Sequence, residues 1–295
     1  MEKDQQNSPL SSREGLVAFA ALVIGAFAMG LSPTFVRLAD VGPFTSAFWR
    51  VFLALPALFA WMRFSESDDG PRTSFSPATI LCGLAFTGDL LFWHLSILST
   101  SVANATFFAT TAPIWVVAFG WLLFREKPQS RMLVGLALCI AGGGALIMRS
   151  LAIRLGGAIG DLEGLATGVF FGLYFLAVQA ARRSAGAARV TFESTVITAA
   201  ALFVVAVVFE RRLAPHTLRG VLALLGMSWI SHAGGQGLLA IALGRLPATF
   251  SSLVIFLEAI AAAGFAWVFL GEPVASVQAI GGVLILAGIF IARPR

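Results

Sequence analysis

Charge is what this chain has least of. Only 12% of its 295 residues are Asp, Glu, Lys or Arg, against about 25% in a typical soluble domain. Lysine is nearly missing, with Lys3 and Lys127 alone, and tyrosine occurs once, at Tyr174. The two cysteines, Cys82 and Cys139, both sit inside apolar runs. That excludes a disulfide framework and a paired Cys-x-x-Cys metal site. Three histidines without a His-Glu-x-x-His spacing remove the zinc-hydrolase pattern as well. No basic patch exists. The basic residues fall singly at the ends of apolar runs, so the net charge of +5 and the pI of about 10.2 reflect membrane topology rather than nucleic-acid binding.

What the chain has in excess is apolar sequence. It is 58% hydrophobic with a mean hydropathy of +0.88, which predicts a polytopic membrane protein. A span needs roughly 20 apolar residues to cross a core of about 30 Å. The breaks then define ten spans: 15–38, 43–63, 77–98, 101–124, 130–148, 161–182, 189–209, 217–243, 247–270 and 274–292. Residues 1–14 form a polar tail. They lack the basic region and short apolar core of a cleaved leader, so the first run is expected to stay as a helix. Ser76-Pro77 and the carboxylates Asp161 and Glu163 mark helix starts. Pro33, Pro56 and Pro113 fall inside spans and should kink them.

A pattern occurs twice. Trp121-x4-Glu126-x8-Gly135-x2-Leu138-x2-Ala141-Gly142 returns as Trp267-x4-Glu272-x8-Gly281-x2-Leu284-x2-Ala287-Gly288, at a constant offset of 146. The repeated unit is predicted as residues 15–150 and 160–293, five spans each. An odd number of spans turns the second copy over, and such inverted repeats place a binding site at midplane between the halves. Of the 20 basic residues, 13 fall on the N-terminal side of these spans, six on the other and Arg50 within one. The bias puts both termini in the cytoplasm.

A carboxylate at the bilayer centre costs about 2.5–3.5 kcal/mol on insertion scales, so intramembrane polar residues are candidates for function. Glu258 is central in span nine, on one helical face with Ser251, Ile255 and Ala262. The repeat-related face of span four is Ala105, Ala109, Ala112 and Val116. Two such faces could border a common cavity, with Glu258 taking a substrate amine or a proton. The alternative is a protonated Glu bonded to a neighbouring helix. His232 and Gln236 share a face of span eight within Ser231-His232-Ala233-Gly234-Gly235-Gln236-Gly237. That stretch could unwind toward a ligand or simply allow close helix packing. Asp89 shares a side with Trp93 in span three, whereas His94 lies off that face. Tyr174 and Gln179 are lesser candidates in span six. Asn104, Thr106, Thr110 and Thr111 in span four are expected to satisfy backbone carbonyls rather than bind a ligand. Arg50, two turns into span two, is expected to snorkel to the surface. Trp61, Trp121 and Trp267 fit an interfacial belt, while Trp93, Trp115 and Trp229 lie deeper and line a pocket or face lipid.

Two five-span halves, with Glu126 and Glu272 ending the fourth span of each, resemble the drug/metabolite transporter superfamily. The chain is most similar to its EamA-type exporters, and among these to YddG-type amino-acid exporters. Ala47-Phe48-Trp49-Arg50, Gly160-Asp161, Thr111-Ala112-Pro113-Ile114 and Leu257-Glu258 extend the match over nearly the whole chain. Where the family often has Glu-Pro, Ala259 follows Glu258, which removes the usual cause of a kink there.

The resemblance implies an all-α bundle of ten helices around a central cavity. It also implies alternating access and export of amino acids or amphipathic metabolites across a bacterial inner membrane. The substrate-site expectation is Glu258, His232, Gln236, Asp89, Trp93, Ser251 and Tyr174. Glu258 would attract an ammonium, and His232 and Gln236 would engage a carboxylate. The expected partners are a small solute and the bilayer, with no nucleic acid, cofactor or metal, and a monomer is compatible with the pattern. An intramembrane enzyme and a channel are the rival classes. The first lacks a Gly-x-Gly-Asp or Gly-x-Ser-x-Gly motif, the second a ring of charge or a carbonyl filter.

Overall fold

The computed structural model describes residues 12–65, 74–100, 102–125, 127–151, 158–270 and 275–294, and all regular structure among them is helical. Eight of these helices are long and apolar enough to cross a membrane: 13–38, 43–65, 77–99, 104–123, 130–148, 158–181, 187–209 and 248–265. Two further helical stretches, 218–242 and 276–292, fill the remaining apolar runs. Glu126 and Glu272 of the repeated pattern lie outside the described residues.

The prolines break spans where expected. The first span is α1 (Arg13–Gly30) and α2 (Ser32–Leu38), with Pro33 in the first turn of α2. The second is α3 (Pro43–Phe52) and α4 (Leu55–Ser65), interrupted just before Pro56. After α5 (Pro77–Ser99), the fourth run divides into α6 (Val102–Ala109) and α7 (Ala112–Phe124), with Pro113 at the start of α7. Each break frees carbonyls that lipid cannot satisfy, and side chains supply the missing donors. Thr110 and Thr111 hydroxyls donate to the Phe107 and Phe108 carbonyls at 2.7 and 2.6 Å. The Trp229 indole donates to the Leu53 carbonyl at 3.0 Å, and the Ser231 hydroxyl to that of Ala28 at 2.7 Å.

The chain continues as α8 (Ser130–Leu151), α9 (Ala158–Ala181), α10 (Ala187–Phe209) and α11 (Leu218–Gly226). The glycine-rich stretch does not unwind. Residues Met227–Gln236 form a π-helix that runs directly into α12 (Gly237–Ala242). Widening the turn re-aims side chains without freeing backbone groups, and such insertions recur at functional positions. The next run breaks between α13 (Ala248–Val254) and α14 (Phe256–Leu270) although no proline is there. Tight bonds from the Ile255 and Glu258 N–H groups to the Ser252 and Ile255 carbonyls make the break. The chain ends in α15 (Ser276–Ala292).

Helices approach through glycine. A Cβ added at Gly142 would lie 2.5 Å from the Gly281 carbonyl, and one at Gly281 would lie 2.5 Å from that of Gly142. Gly135 and Gly288 meet in the same reciprocal way at 2.5 and 2.6 Å. These four are the glycines of the repeated pattern, and they hold α8 and α15 together antiparallel. The Gly25–Gly235 approach does the same for α1 and the π-helix, and Gly164, Gly168 and Gly172 seat α9 against α6 and α7. Outside the membrane-spanning parts, Glu210 accepts from the Phe44 and Thr45 N–H groups at 2.6 and 3.2 Å, capping α3 from the end of α10. Asp40 likewise accepts from the His216 and Thr217 N–H groups ahead of α11. The two halves are thus stitched together at polar helix ends as well as through the core.

Candidate functional site

The broken helices converge on a small, half-open cavity, about 30 Å³, lined by Met29, Ser32, Arg50, Asp89, Leu90, Trp93, Ala109, Phe171, Gln236 and Glu258. That is room for about one water. The break after Gly30 turns Ser32 inward, and the π-helix aims Gln236 at the same space. The turn at Ile255 rotates Glu258 out of phase with Ser251. Ser251 and Ile255 are both fully buried in the packing of α13, so the helical face expected for Glu258 is interrupted.

Four of the seven expected site residues therefore share the cavity: Glu258, Asp89, Trp93 and Gln236. The other three do not line it. His232 is buried one layer out, with its Nε2 3.0 Å from the Thr195 hydroxyl and its ring 5.3 Å from that of Phe86. Tyr174 stacks on the same Phe86 at 4.8 Å and on Phe171 at 6.2 Å, supporting the cavity wall. Ser251 is enclosed elsewhere. His94 points away as its spacing indicates, with Nδ1 2.7 Å from the Leu90 carbonyl.

Arg50 was expected at the surface and is not there. It is only 6% exposed, with its guanidinium 5.8 Å from the Trp93 ring and 6.0 Å from that of Phe86. Residue 50 lies about 10 Å into the span at 1.5 Å per residue, and α3 turns it toward α5. Snorkelling requires a lipid-facing side chain, and this one faces protein. Its neighbours on α3, Ala47, Phe48 and Val51, are buried with it. Among the described residues, the cavity thus holds one guanidinium, Arg50, and two carboxylates, Asp89 and Glu258.

The deep tryptophans also separate. Trp93 lines the cavity, and Trp115 packs over Gly172. Trp229 is 56% exposed on the outer surface, where its indole caps the break in the second span. Trp121 and Trp267, equivalent in the repeat, are likewise exposed, at 61% and 58%. No cluster of metal-ligating side chains occurs among the described residues.

A family model for EamA-like transporters matches residues 16–148 and again 158–293. Two proteins of Archaeoglobus fulgidus described as uncharacterized transporters are similar in sequence. One is 26% identical over 275 residues, covering 92% of this chain and 95% of the relative; the other is 25% identical over 280 residues, covering 88% and 91%. A solved crystal structure superposes with a TM-score of 0.76 at 18% identity, covering 95% of this chain and 96% of that one, which speaks to the fold alone. With its apolar helices and its two matched repeats, this chain is a multi-pass membrane protein and belongs to the EamA-like transporter family.

Proposed function

We propose that the protein is a secondary carrier that exports amino acids or related small amphipathic metabolites by alternating access between two inverted five-helix halves. The observation that carries this reading is the small polar cavity to which the first half contributes Arg50 and Asp89 and the second contributes Gln236 and Glu258. Charged groups held between two halves of a membrane protein mark a solute pathway, and a space this narrow between them suits a carrier rather than an open channel. Reciprocal packing of Gly135 on Gly288 and Gly142 on Gly281 supports the inversion, because each contact exchanges with the other when the repeats are swapped. Counting the two additional helical stretches gives ten crossings. The basic-residue bias supports cytoplasmic termini in a bacterial inner membrane.

Glu258 offers a carboxylate to a substrate ammonium, and Asp89 lines the same space. Because the cavity holds about one water in this state, an amino acid enters only when the halves separate. The test is uptake of radiolabelled amino acids into proteoliposomes of the full chain, with and without a pH gradient. Saturable uptake with trans-stimulation is expected. Absence of uptake from correctly inserted protein would remove amino acids and leave other amphipathic metabolites of the same family class.

A further inference from the structure

Three polar atoms around the cavity are buried without a hydrogen-bond partner: Arg50 Nε, Ser32 Oγ and Gln236 Oε1. Arg50 is the most costly of the three to leave so, because its Nε belongs to a cation. It also makes no ion pair within 4.0 Å among the described residues, although two carboxylates line the same space. A buried cation is expensive unless a partner takes its N–H donors, and the two carboxylates stop short of contact. Its surroundings restrict what that can be. The rings of Phe86 and Trp93 lie about it, an arrangement in which aromatic faces meet the flat cation. Guanidinium N–H groups point outward in their own plane, so a partner approaches edge-on through the cavity. Ser32 adds a hydroxyl there, and Gln236 Oε1 adds a free acceptor on the opposite half.

We propose that Arg50 is the residue that recognises the solute, by binding its carboxylate. Ser32 Oγ assists, and Gln236 Oε1 and Glu258 take the adjoining amine. The ligand class is a small solute carrying a carboxylate beside an amine. This rests on the cavity being the transport site, and it moves the carboxylate contact from His232, which Thr195 already engages, to the one cation lining the cavity among the described residues. The paired arrangement also explains rejection. An amide or ester of the same solute presents no negative charge and leaves the guanidinium without its counter-charge, a mismatch that hydrogen-bonding sites discriminate strongly against.

The experiment uses the full chain in proteoliposomes. Uptake of tracer L-alanine, L-leucine and L-phenylalanine is competed with each amino acid and with its carboxamide. In the wild type each acid should compete at a concentration at least ~10-fold lower than its amide, as expected for one charge-assisted contact. Arg50→Gln should abolish that ratio by weakening acids and sparing amides. Arg50→Lys should keep the preference while raising the KM for acids about 10-fold, since an ammonium cannot form the planar fork. A purely structural Arg50 would lower protein yield or Vmax and leave the ratio unchanged, which overturns the proposal. Transport by the wild type without acid-over-amide preference overturns it too, while leaving the carrier reading intact. No uptake of any tracer by correctly inserted wild type overturns both. Should Arg50→Gln fail to fold, the wild-type ratio together with Arg50→Lys decides the matter in the same terms.

Discussion

Glu258 reaches the cavity only because the helix breaks at Ile255, three residues before it. Removing its charge keeps its shape, so Glu258→Gln should preserve expression and monodispersity. It should lower the apparent affinity for amine-bearing solutes roughly 10- to 100-fold, the range of a hydrogen bond to a charged group. Unchanged uptake kinetics would take Glu258 out of the site. His232 belongs to a different class. Its bond to Thr195 lies within the helix packing, so His232→Ala should destabilise the protein by about 1–3 kcal/mol without altering which solutes are preferred. Thermal unfolding in detergent beside competition uptake separates the two effects, and a changed solute preference would return His232 to the site.

At the scale of helices, small residues and borrowed donors hold the structure. The reciprocal glycines leave no room between α8 and α15. We expect Gly142→Val or Gly281→Val to cost about 1–3 kcal/mol through overpacking, seen as a lowered unfolding temperature. Gly144→Ala and Gly282→Ala meet open space and should stay within about 0.5 kcal/mol of the parent. Equal effects at all four positions would refute close packing at this crossing. Trp229→Phe keeps the exposed ring but removes the donor to the Leu53 carbonyl. A loss of about 0.5–1.5 kcal/mol is expected; none would mean that the break in the second span satisfies itself. Span positions were legible as long apolar runs bounded by polar residues, and three of the breaks as internal prolines. The break at Ile255 was not, because it arises from a local tightening of the backbone rather than from a residue that cannot bond.

For the whole molecule, orientation in the membrane is the open physical variable, set by where basic residues meet the headgroups. Cys82 and Cys139 are both buried, so single cysteines can report topology on the natural background. Cysteines replacing Ser12 and Arg293 should react with a membrane-impermeant maleimide only after cells are lysed, and one replacing Arg211 should react in intact cells. The opposite pattern would invert the assignment of the termini.

By itself the sequence determined the all-helical membrane class, the repeated pattern and membership in the EamA-like family. Hydrophobic run length and residue spacing are one-dimensional quantities that survive without coordinates. Asp89 could be paired with Trp93 the same way, since α-helical periodicity fixes which neighbours share a face; the same pairing of His232 with Gln236 fails because the stretch is a π-helix. Only the tertiary structure decided that Arg50 turns inward and that the π-helix sends Gln236 to the cavity while His232 stays in the packing. It also decided that Trp229 faces outward. In each case the outcome depends on how one helix is rotated against another, and that rotation is set by interhelical contacts such as Gly25 on Gly235, which involve residues some 200 positions apart.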